Sequence, residues 1–292
     1  METLQQDIHA LTGFWRAHPR LVVLTGAGIS ADSGIPTYRD VAGRWLHSEP
    51  IRHQDFIASA HARRRYWARS WHGWPAVRDA RPNAAHSALA ALENSGHVEL
   101  LVTQNVDRLH QRAGSRRVVD LHGRLDRVRC LACNHTQHRD RVQQLLAREN
   151  RWEAVSAGGA RPDGDREISE ELAASVVLPR CPACAGDLGP DVVFFGGNIP
   201  ADRLQRCADA LARADGLLAV GSSLQVFSGF RLCRNMHRAG RPVAIINPGL
   251  TRADDLAALK LRSPAGALLA GVEQALTEAA ISPRPCAGDS PS

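Results

Sequence analysis

The chain has 292 residues, of which 44% are hydrophobic and 23% are charged, a composition typical of a globular protein. It has no apolar run of about 18 residues that could span a membrane, and its N-terminus matches neither a secretory signal nor a transit peptide. The net charge of +6 is modest, and we interpret the one dense basic run, residues 61–69, as a solvated helix face. With seven Cys, an odd number that favours reduced thiols, we expect a cytoplasmic protein with no membrane or nucleic-acid partner.

Apolar runs and helical patterns alternate along most of the chain. The first element is predicted to be an amphipathic helix with Leu4, Ile8, Leu11 and Trp15 on one face. Strands are predicted from the runs RLVVLT, VELLVTQ, GLLAVGSS and RPVAIINPG, and helices from residues 84–96 and 201–216. Because strands alternate with helices, we predict a parallel sheet that is covered on both faces.

Two stretches interrupt this alternation. Residues 46–82 are rich in Trp, His and Arg and look helical, and residues 127–189 contain paired Cys and a Gly/Pro/Asp-rich segment. The predicted fold class is therefore α/β, a Rossmann-like doubly wound parallel sheet with a smaller inserted domain made of a helical module and a zinc ribbon. The predicted ranges are 1–45, 83–126 and 190–280 for the sheet domain, 46–82 and 127–189 for the smaller domain, and 281–292 for a disordered tail.

The first candidate site follows the first predicted strand. Gly26, Gly28 and Ala31 form the pattern G-x-G-x-x-A, whose small residues let the backbone approach a pyrophosphate at a helix N-terminus. The acidic residue that a Rossmann fold carries about 20 positions later is missing. An ordinary tight turn therefore remains the alternative.

The second candidate site is the segment TQNVDRLHQRAG. Gln104, Asn105 and Asp107 follow a predicted strand, and open α/β sheets bind ligands at the carboxyl ends of their strands. Two amides and a carboxylate can recognise a carboxamide, which needs both a donor and an acceptor. A polar loop with an Asx turn remains the alternative.

His122, in VVDLHGR, is the candidate general base. It also follows an apolar stretch, and a histidine has the pKa required for acid–base work near neutrality. The chain contains 13 His, so a structural role is the alternative for any of them. His110 is the obvious rival, and we expect it to be structural.

Four cysteines form the strongest signal. Cys130 with Cys133, and Cys181 with Cys184, make two C-x-x-C pairs, which predict a tetrahedral four-thiolate zinc site. No ligand position is left open, so one structural zinc ion per chain is expected. Disulfides are the alternative, which a cytosolic setting disfavours.

Taken together, these blocks resemble the sirtuin family. GAGISADSGIPTYRD, TQNVDRLH, LHG, the two C-x-x-C pairs, GPDVVFFGGNIP, GSSLQV and INPG occur in the family's order and cover roughly residues 21–269. Each block is weak alone, but the combination is highly specific. RYWARSWHGW and GSSLQVFSGFR are similar to class II sirtuins, which include the mitochondrial lipoamidase-type enzyme and its bacterial relatives.

The resemblance implies that NAD is the co-substrate and that His122 and Asn105 are catalytic. The residues that it implies for NAD binding are Gly26, Ala27, Gly28, Ile29, Ser30, Ala31, Ile35, Pro36, Tyr38, Arg39, Gln104, Asn105, Val106, Asp107, Gly221, Ser222, Ser223, Asn247, Pro248, Gly249 and Ala265. Those that it implies for binding an acyl-lysine peptide, by strand addition, are Val193, Phe194, Phe195, Gly196, Gln225, Val226 and Phe227.

The implied activity is NAD-dependent protein-lysine deacylation, with acyl-lysine proteins or peptides as partners. The acyl group passes to ADP-ribose and nicotinamide is released, with His122 as the base for a ribose hydroxyl. A protein mono-ADP-ribosyltransferase with the same NAD site and a non-catalytic, NAD-sensing zinc-ribbon interaction module remain the alternatives. We do not assign the Tyr-x-x-Arg pair of desuccinylases to RYWARSWHGWP, so dicarboxylic acyl groups are not expected.

Overall fold

The computed structural model of the chain describes residues 2–38, 40, 44, 46, 51–152, 164 and 168–281. The strands are β1 (Leu21–Thr25), β2 (Val98–Thr103), β3 (Val118–Asp120), β4 (Gly123–Cys130), β5 (Thr136–His138), β6 (Leu188–Val192), β7 (Gly216–Val220), β8 (Val243–Ile246) and β9 (Leu259–Leu261). The α-helices are α1 (Glu2–Ala17), α2 (His53–Ala58), α3 (Ala60–Asp79), α4 (Ala84–Asn94), α5 (Leu109–Arg112), α6 (Arg139–Glu149), α7 (Glu170–Ser175), α8 (Ala201–Arg213), α9 (Phe227–Arg238) and α10 (Ala265–Ile281). Within the described ranges, no helix combines the length and the apolar character that crossing a bilayer requires.

The larger sheet has six strands in the order β3-β2-β1-β7-β8-β9, and all of its pairings are parallel. The four predicted strands form its centre, as β1, β2, β7 and β8. The strand order reverses between β1 and β7, so a crevice opens at their carboxyl ends, where sheets of this kind bind ligands. The predicted Rossmann-like fold class is confirmed.

Helices cover both faces of this sheet. On one face, Trp15 of α1, Leu89 of α4 and Leu269 of α10 belong to a single buried apolar cluster. On the other face, Cys207 of α8 and Leu232 of α9 belong to a second cluster. Each large apolar side chain buried in this way contributes about 1.5–3 kcal/mol to stability.

A three-stranded antiparallel sheet, in the order β5-β4-β6, forms a smaller module with helices α2, α3 and α6. Its buried cluster contains Phe56, Trp67, Val142 and two of the paired cysteines, Cys130 and Cys181. These elements coincide with the two stretches that interrupt the predicted alternation. The domain boundaries themselves stay a prediction, and the predicted tail lies outside the described residues from 282 onward.

One guanidinium group is buried inside the smaller module. Arg139 is 1% exposed, and its Nη2 donates to the carbonyl of Ser70 at 3.3 Å and to the hydroxyl of Ser70 at 3.2 Å. The guanidinium lies 5.2 Å from the ring of Trp67 and 5.6 Å from the ring of Trp74. Burial lowers the pKa of Arg139 to about 10, so the group stays charged at neutral pH.

Candidate active site

A cavity of about 920 Å³ opens at the carboxyl edge of the larger sheet, a size near the upper end for small-molecule sites. Most of the predicted site residues line it: Gly26, Ala27, Gly28, Ile29, Ala31, Tyr38, Gln104, Asn105, Val106, His122, Val193, Phe194, Phe195, Gly196, Gly221, Ser222, Ser223, Gln225, Val226, Phe227, Asn247, Pro248, Gly249 and Ala265. Ser30, Ile35, Pro36 and Asp107 do not line the cavity, and Arg39 lies outside the described residues.

The Gly-rich turn after β1 continues into a 3₁₀ helix, Ala27–Ser33, and not into an α-helix. A Cβ atom on Gly26 would lie 2.7 Å from the Cβ of Ser222, and one on Gly28 would lie 2.8 Å from the carbonyl oxygen of Gly221. Gly221 has φ +62°, and its own Cβ would lie 2.5 Å from the amide nitrogen of Ile29. Glycine is therefore required because the loops after β1 and β7 touch, a reason that the G-x-G-x-x-A pattern did not reveal.

Asn105 joins this turn to the loop after β2. Its Nδ2 donates to the carbonyl of Gly26 at 3.1 Å and to the hydroxyl of Ser30 at 3.0 Å. The Ser30 hydroxyl donates to Asp107 at 2.8 Å, and Asp107 also accepts from the amide of Leu109 at 2.9 Å. Ser30 and Asp107 thus hold Asn105 in place without lining the cavity themselves. The Oδ1 of Asn105 has no partner among the described residues.

His122 presents one ring nitrogen to the cavity wall. Its Nδ1 lies 3.1 Å from the carbonyl oxygen of Gln104, which can only accept, so Nδ1 carries the proton of the neutral ring. Nε2 lies 2.8 Å from the hydroxyl of Ser228 and accepts from it. Burial lowers the pKa of His122 to about 4, so the ring is neutral at pH 7 and Nε2 is its unprotonated nitrogen.

His110 has a different environment, although it lies only a few residues from Asn105. It is 1% exposed, and its Nε2 lies 2.9 Å from the hydroxyl of Thr25. That hydroxyl donates to Thr103 at 2.9 Å, so it accepts from His110. Burial lowers the pKa of His110 well below its ordinary value, and the ring does not line the cavity. This packing supports the prediction that His110 is structural.

The four predicted metal ligands come together. The sulfur atoms of Cys130, Cys133, Cys181 and Cys184 all lie within 4.8 Å of one another. The Cys130–Cys184 distance is 3.5 Å and the Cys133–Cys181 distance is 3.7 Å. Sulfurs around a tetrahedral zinc with bonds of about 2.3 Å would lie roughly 3.8 Å apart, so the cluster has the dimensions of such a site.

The two Cys pairs have the same backbone turn. Asn134 and Ala185, which follow the second Cys of each pair, have φ of 60° and 57°. Their amides donate back to the carbonyls of Cys130 at 3.2 Å and Cys181 at 2.9 Å. Each pair is therefore followed by a residue in the left-handed backbone conformation. This conformation is favourable for Asn and unfavourable for Ala.

Tyr66 of α3 bears on the choice of acyl group. It lines the cavity, where its ring lies 5.6 Å from that of Phe194, and Arg69 follows it at the Tyr-x-x-Arg spacing. The two residues are 4% and 3% exposed. The pair lies in RYWARSWHGWP, but Arg69 is not among the residues that line the cavity, so the expectation about dicarboxylic acyl groups stays a prediction.

Other lining residues were not assigned a role from the sequence, although some stand within the quoted motifs. They include Asp32, Thr37, Asp40, Ile51, Leu125, Ile199, Ser228 and Arg262. They come from several elements and reach the cavity only through the tertiary fold.

These features define a class of protein. It is a Rossmann-like α/β protein whose cavity lies where the strand order reverses, with an inserted module that carries the four clustered cysteines. The model of the Sir2 family matches residues 26–228, which is more than half of the chain. The chain belongs to the Sir2 family, the sirtuins, as its motifs predict.

Individual relatives extend the match to most of the chain. An NAD-dependent protein deacetylase of Xanthomonas campestris pv. campestris is 52% identical over 266 residues, which cover 91% of this chain and 90% of that protein. The NAD-dependent protein deacylase Sirt4 of Drosophila melanogaster is 44% identical over 266 residues, which cover 90% and 85%. A solved Sir2 variant with a deacetylated p53 peptide and 3′-O-acetyl-ADP-ribose has a TM-score of 0.74 at 29% identity, covering 92% of this chain and 98% of that chain.

Proposed function

We propose that the chain is an NAD-dependent protein-lysine deacylase that releases nicotinamide and transfers the acyl group to ADP-ribose. The observation that carries the proposal is the shared cavity, which the Gly-rich turn, Asn105 and His122 all line. The names of the Xanthomonas and Drosophila relatives support this activity.

The residues present fit NAD as co-substrate. The turn lines the cavity with the small residues Gly26, Ala27 and Gly28, which let a phosphate approach the backbone, and the Oδ1 of Asn105 is available at the cavity. When bound, NAD supplies an activated ribose carbon from which nicotinamide can depart. We assign the phosphates to the Gly-rich turn with Ser222 and Ser223, and the adenosine ribose to Asn247.

His122 performs the proton transfer in this proposal. Its Nε2 takes a proton from a hydroxyl group, and the Gln104 carbonyl stabilises the protonated ring through Nδ1–H. Because burial keeps the ring neutral at pH 7, His122 is in the basic form without a preceding deprotonation.

The acyl-lysine substrate enters between two apolar edges. Phe195 is 38% exposed on one side of the cavity, and Val226 and Phe227 are 37% and 46% exposed on the other. We assign the peptide backbone to these two segments, 193–196 and 225–227, and the acyl chain to the aromatic wall of Tyr66 and Phe194.

We propose zinc for the four-cysteine cluster, since four thiolates at tetrahedral spacing favour this ion and leave no position open for catalysis. Its role is structural. Four cysteines this close together without disulfide bonds are typical of a reducing compartment, so we place the protein in the cytoplasm, with acyl-lysine proteins as its substrates.

The test compares His122→Ala with His110→Ala. His122→Ala should lower acyl-lysine turnover by about 10²–10⁴-fold, the usual contribution of a general base, while calorimetric NAD affinity changes by less than about twofold. His110→Ala should lower the melting temperature and leave the folded fraction active. Turnover is measured by mass spectrometry on acetyl-, lipoyl- and dicarboxylic acyl-lysine peptides.

Near-normal deacylation by His122→Ala would contradict the assigned base. A mass gain of one ADP-ribosyl group on the protein substrate, without acyl loss, would favour the transferase alternative. NAD binding without any turnover would favour the sensing module.

A further inference from the structure

Ser228 stands beside the proposed base at the start of α9. It lines the cavity, is half-buried, and its hydroxyl contacts the Nε2 of His122 at 2.8 Å. We propose that Ser228 is a positioning residue whose hydroxyl holds Nε2 toward the cavity and serves as its partner before and after the ring takes a proton. The inference rests on the proposed role of His122 as base.

The imidazole ring is held at both nitrogens. Nδ1–H donates to the carbonyl of Gln104, and the hydroxyl of Ser228 donates to Nε2. Two partners on different sides of the ring fix both the tautomer and the orientation about the Cβ–Cγ bond, whereas one partner alone would leave the ring free to tilt.

Both of these partners are themselves fixed. The amide of Gln104 donates to the carbonyl of Thr25 at 2.9 Å, and its Oε1 accepts from Ser222 at 2.7 Å. The residue after Ser228 is Gly229, where a Cβ would lie 2.7 Å from the Nε2 of Gln104. The first turn of α9 is therefore in contact with Gln104, which sets the distance between Ser228 and His122.

The Ser228 hydroxyl has two roles in the proton transfer, first as a hydrogen-bond donor and then as an acceptor. In the resting state it donates to Nε2. When the O–H bond of a substrate hydroxyl breaks, the proton forms an N–H bond at Nε2 and the oxygen keeps the electron pair. Ser228 keeps its own proton: it turns about its Cβ–Oγ bond and withdraws that proton from Nε2 before the transfer, and its oxygen then accepts from Nε2–H. A hydrogen bond to a charged ring is stronger than one to a neutral ring, so Ser228 favours the proton transfer.

The other surroundings of His122 make such an acceptor necessary. Burial is the main cause that lowers the pKa of His122, and the positive charge of Arg203 lowers it further, while the Gln104 carbonyl raises it. Among the described residues, the Ser228 hydroxyl is the hydrogen-bond partner of Nε2. Without Ser228, the protonated ring would lose that acceptor at the moment it forms.

The experiment separates two stages of turnover in Ser228→Ala, Ser228→Thr and a matched control. Labelled nicotinamide exchange into NAD, measured with an acyl-lysine peptide, reports the stage before the base acts, and peptide deacylation reports the whole sequence. Ser228→Ala should lower deacylation about 10- to 100-fold, the loss of a hydrogen bond to a charged group, with exchange within about twofold of the parent. Ser228→Thr, which keeps a hydroxyl, should restore most of the rate. Ser87→Ala removes an exposed serine in the first turn of α4 and should change neither stage.

A parallel fall of exchange and deacylation, or unchanged deacylation in Ser228→Ala, would overturn the proposal. A readout that does not depend on activity is the ¹⁵N resonance of the His122 Nε2, which should move in Ser228→Ala and stay in place in Ser87→Ala. An unmoved resonance overturns the contact with Ser228. A parent protein that turns over no acyl peptide, with the resonance shift still present, instead refutes the proposed function.

Discussion

The six-stranded sheet and the four-cysteine module bury their interiors in different ways. The two clusters of the sheet are built from apolar side chains, and two cysteines, Cys207 of α8 and Cys233 of α9, are packed among them. The cluster of the module includes Cys130 and Cys181, and the guanidinium of Arg139 lies between two tryptophan rings nearby. The sheet therefore needs only burial to be stable, whereas the module depends on the state of its cysteines and on a buried arginine side chain.

The largest expected effect comes from removing one buried cysteine from each region. Cys130→Ala should lower the free energy of unfolding by about 5 kcal/mol or more and release the metal, because metal binding to such clusters contributes directly to folding. Cys207→Ala, at a site just as buried, should cost about 1 kcal/mol, the usual cost of a small core truncation. Urea unfolding with metal analysis by mass spectrometry measures both.

This comparison fails if the two variants are equally stable. Full retention of one zinc per chain by Cys130→Ala, with parental stability, would also refute the assignment of this residue as a ligand.

A second, smaller effect concerns the buried charge of the module. Arg139→Ala should cost about 3–5 kcal/mol, because it leaves a void between Trp67 and Trp74 and deprives Ser70 of its donor. Arg139→Met keeps most of the volume without the charge and should change stability by less than about 1.5 kcal/mol. Equal losses for both variants in thermal unfolding would show that the charge, and not the volume, is what the module requires.

The smallest effect distinguishes the two cysteine turns. Ala185 adopts a left-handed conformation that costs an alanine about 1 kcal/mol and costs glycine almost nothing, so Ala185→Gly should stabilise the module by about 0.5–1 kcal/mol. The control is Ala212→Gly on an exposed position of α8, which should destabilise by about the same amount. Urea midpoints that move in the same direction would contradict the role of the left-handed turn.

The sequence predicted the sheet well because its central strands are buried on both faces and read as continuous apolar runs. VELLVTQ and GLLAVGSS correspond to β2 and β7 within a few residues. The edge strand β9, Leu259–Leu261, gave no such signal, since it is short, carries Lys260 and is only partly buried. Short edge strands are specified by their neighbours more than by their own residues.

The candidate site, like the sheet, could be predicted only in part. The loop at each strand end could be placed because parallel strands bring their carboxyl ends to one edge. Which side chains of a loop face the cavity could not be read from the order of residues. Ser30 turns inward to Asp107 while its neighbour Ala31 lines the cavity, because the turn is a 3₁₀ helix. Ser228 reaches His122 only through the packing of α9 against Gln104.

The contact between the glycines after β1 and β7 also constrains how this gene can diverge. A methyl group on Gly28 or Gly221 would strike the backbone of the opposite loop, so no side-chain change across the contact makes room for it, whereas one on Gly26 would first meet the side chain of Ser222. Gly28 and Gly221 must be inherited together, even though the two loops are far apart along the chain. A chimera that joins the N-terminal half of this protein to the C-terminal half of a distant homologue will be viable only where the donor also encodes glycine at the position of Gly221.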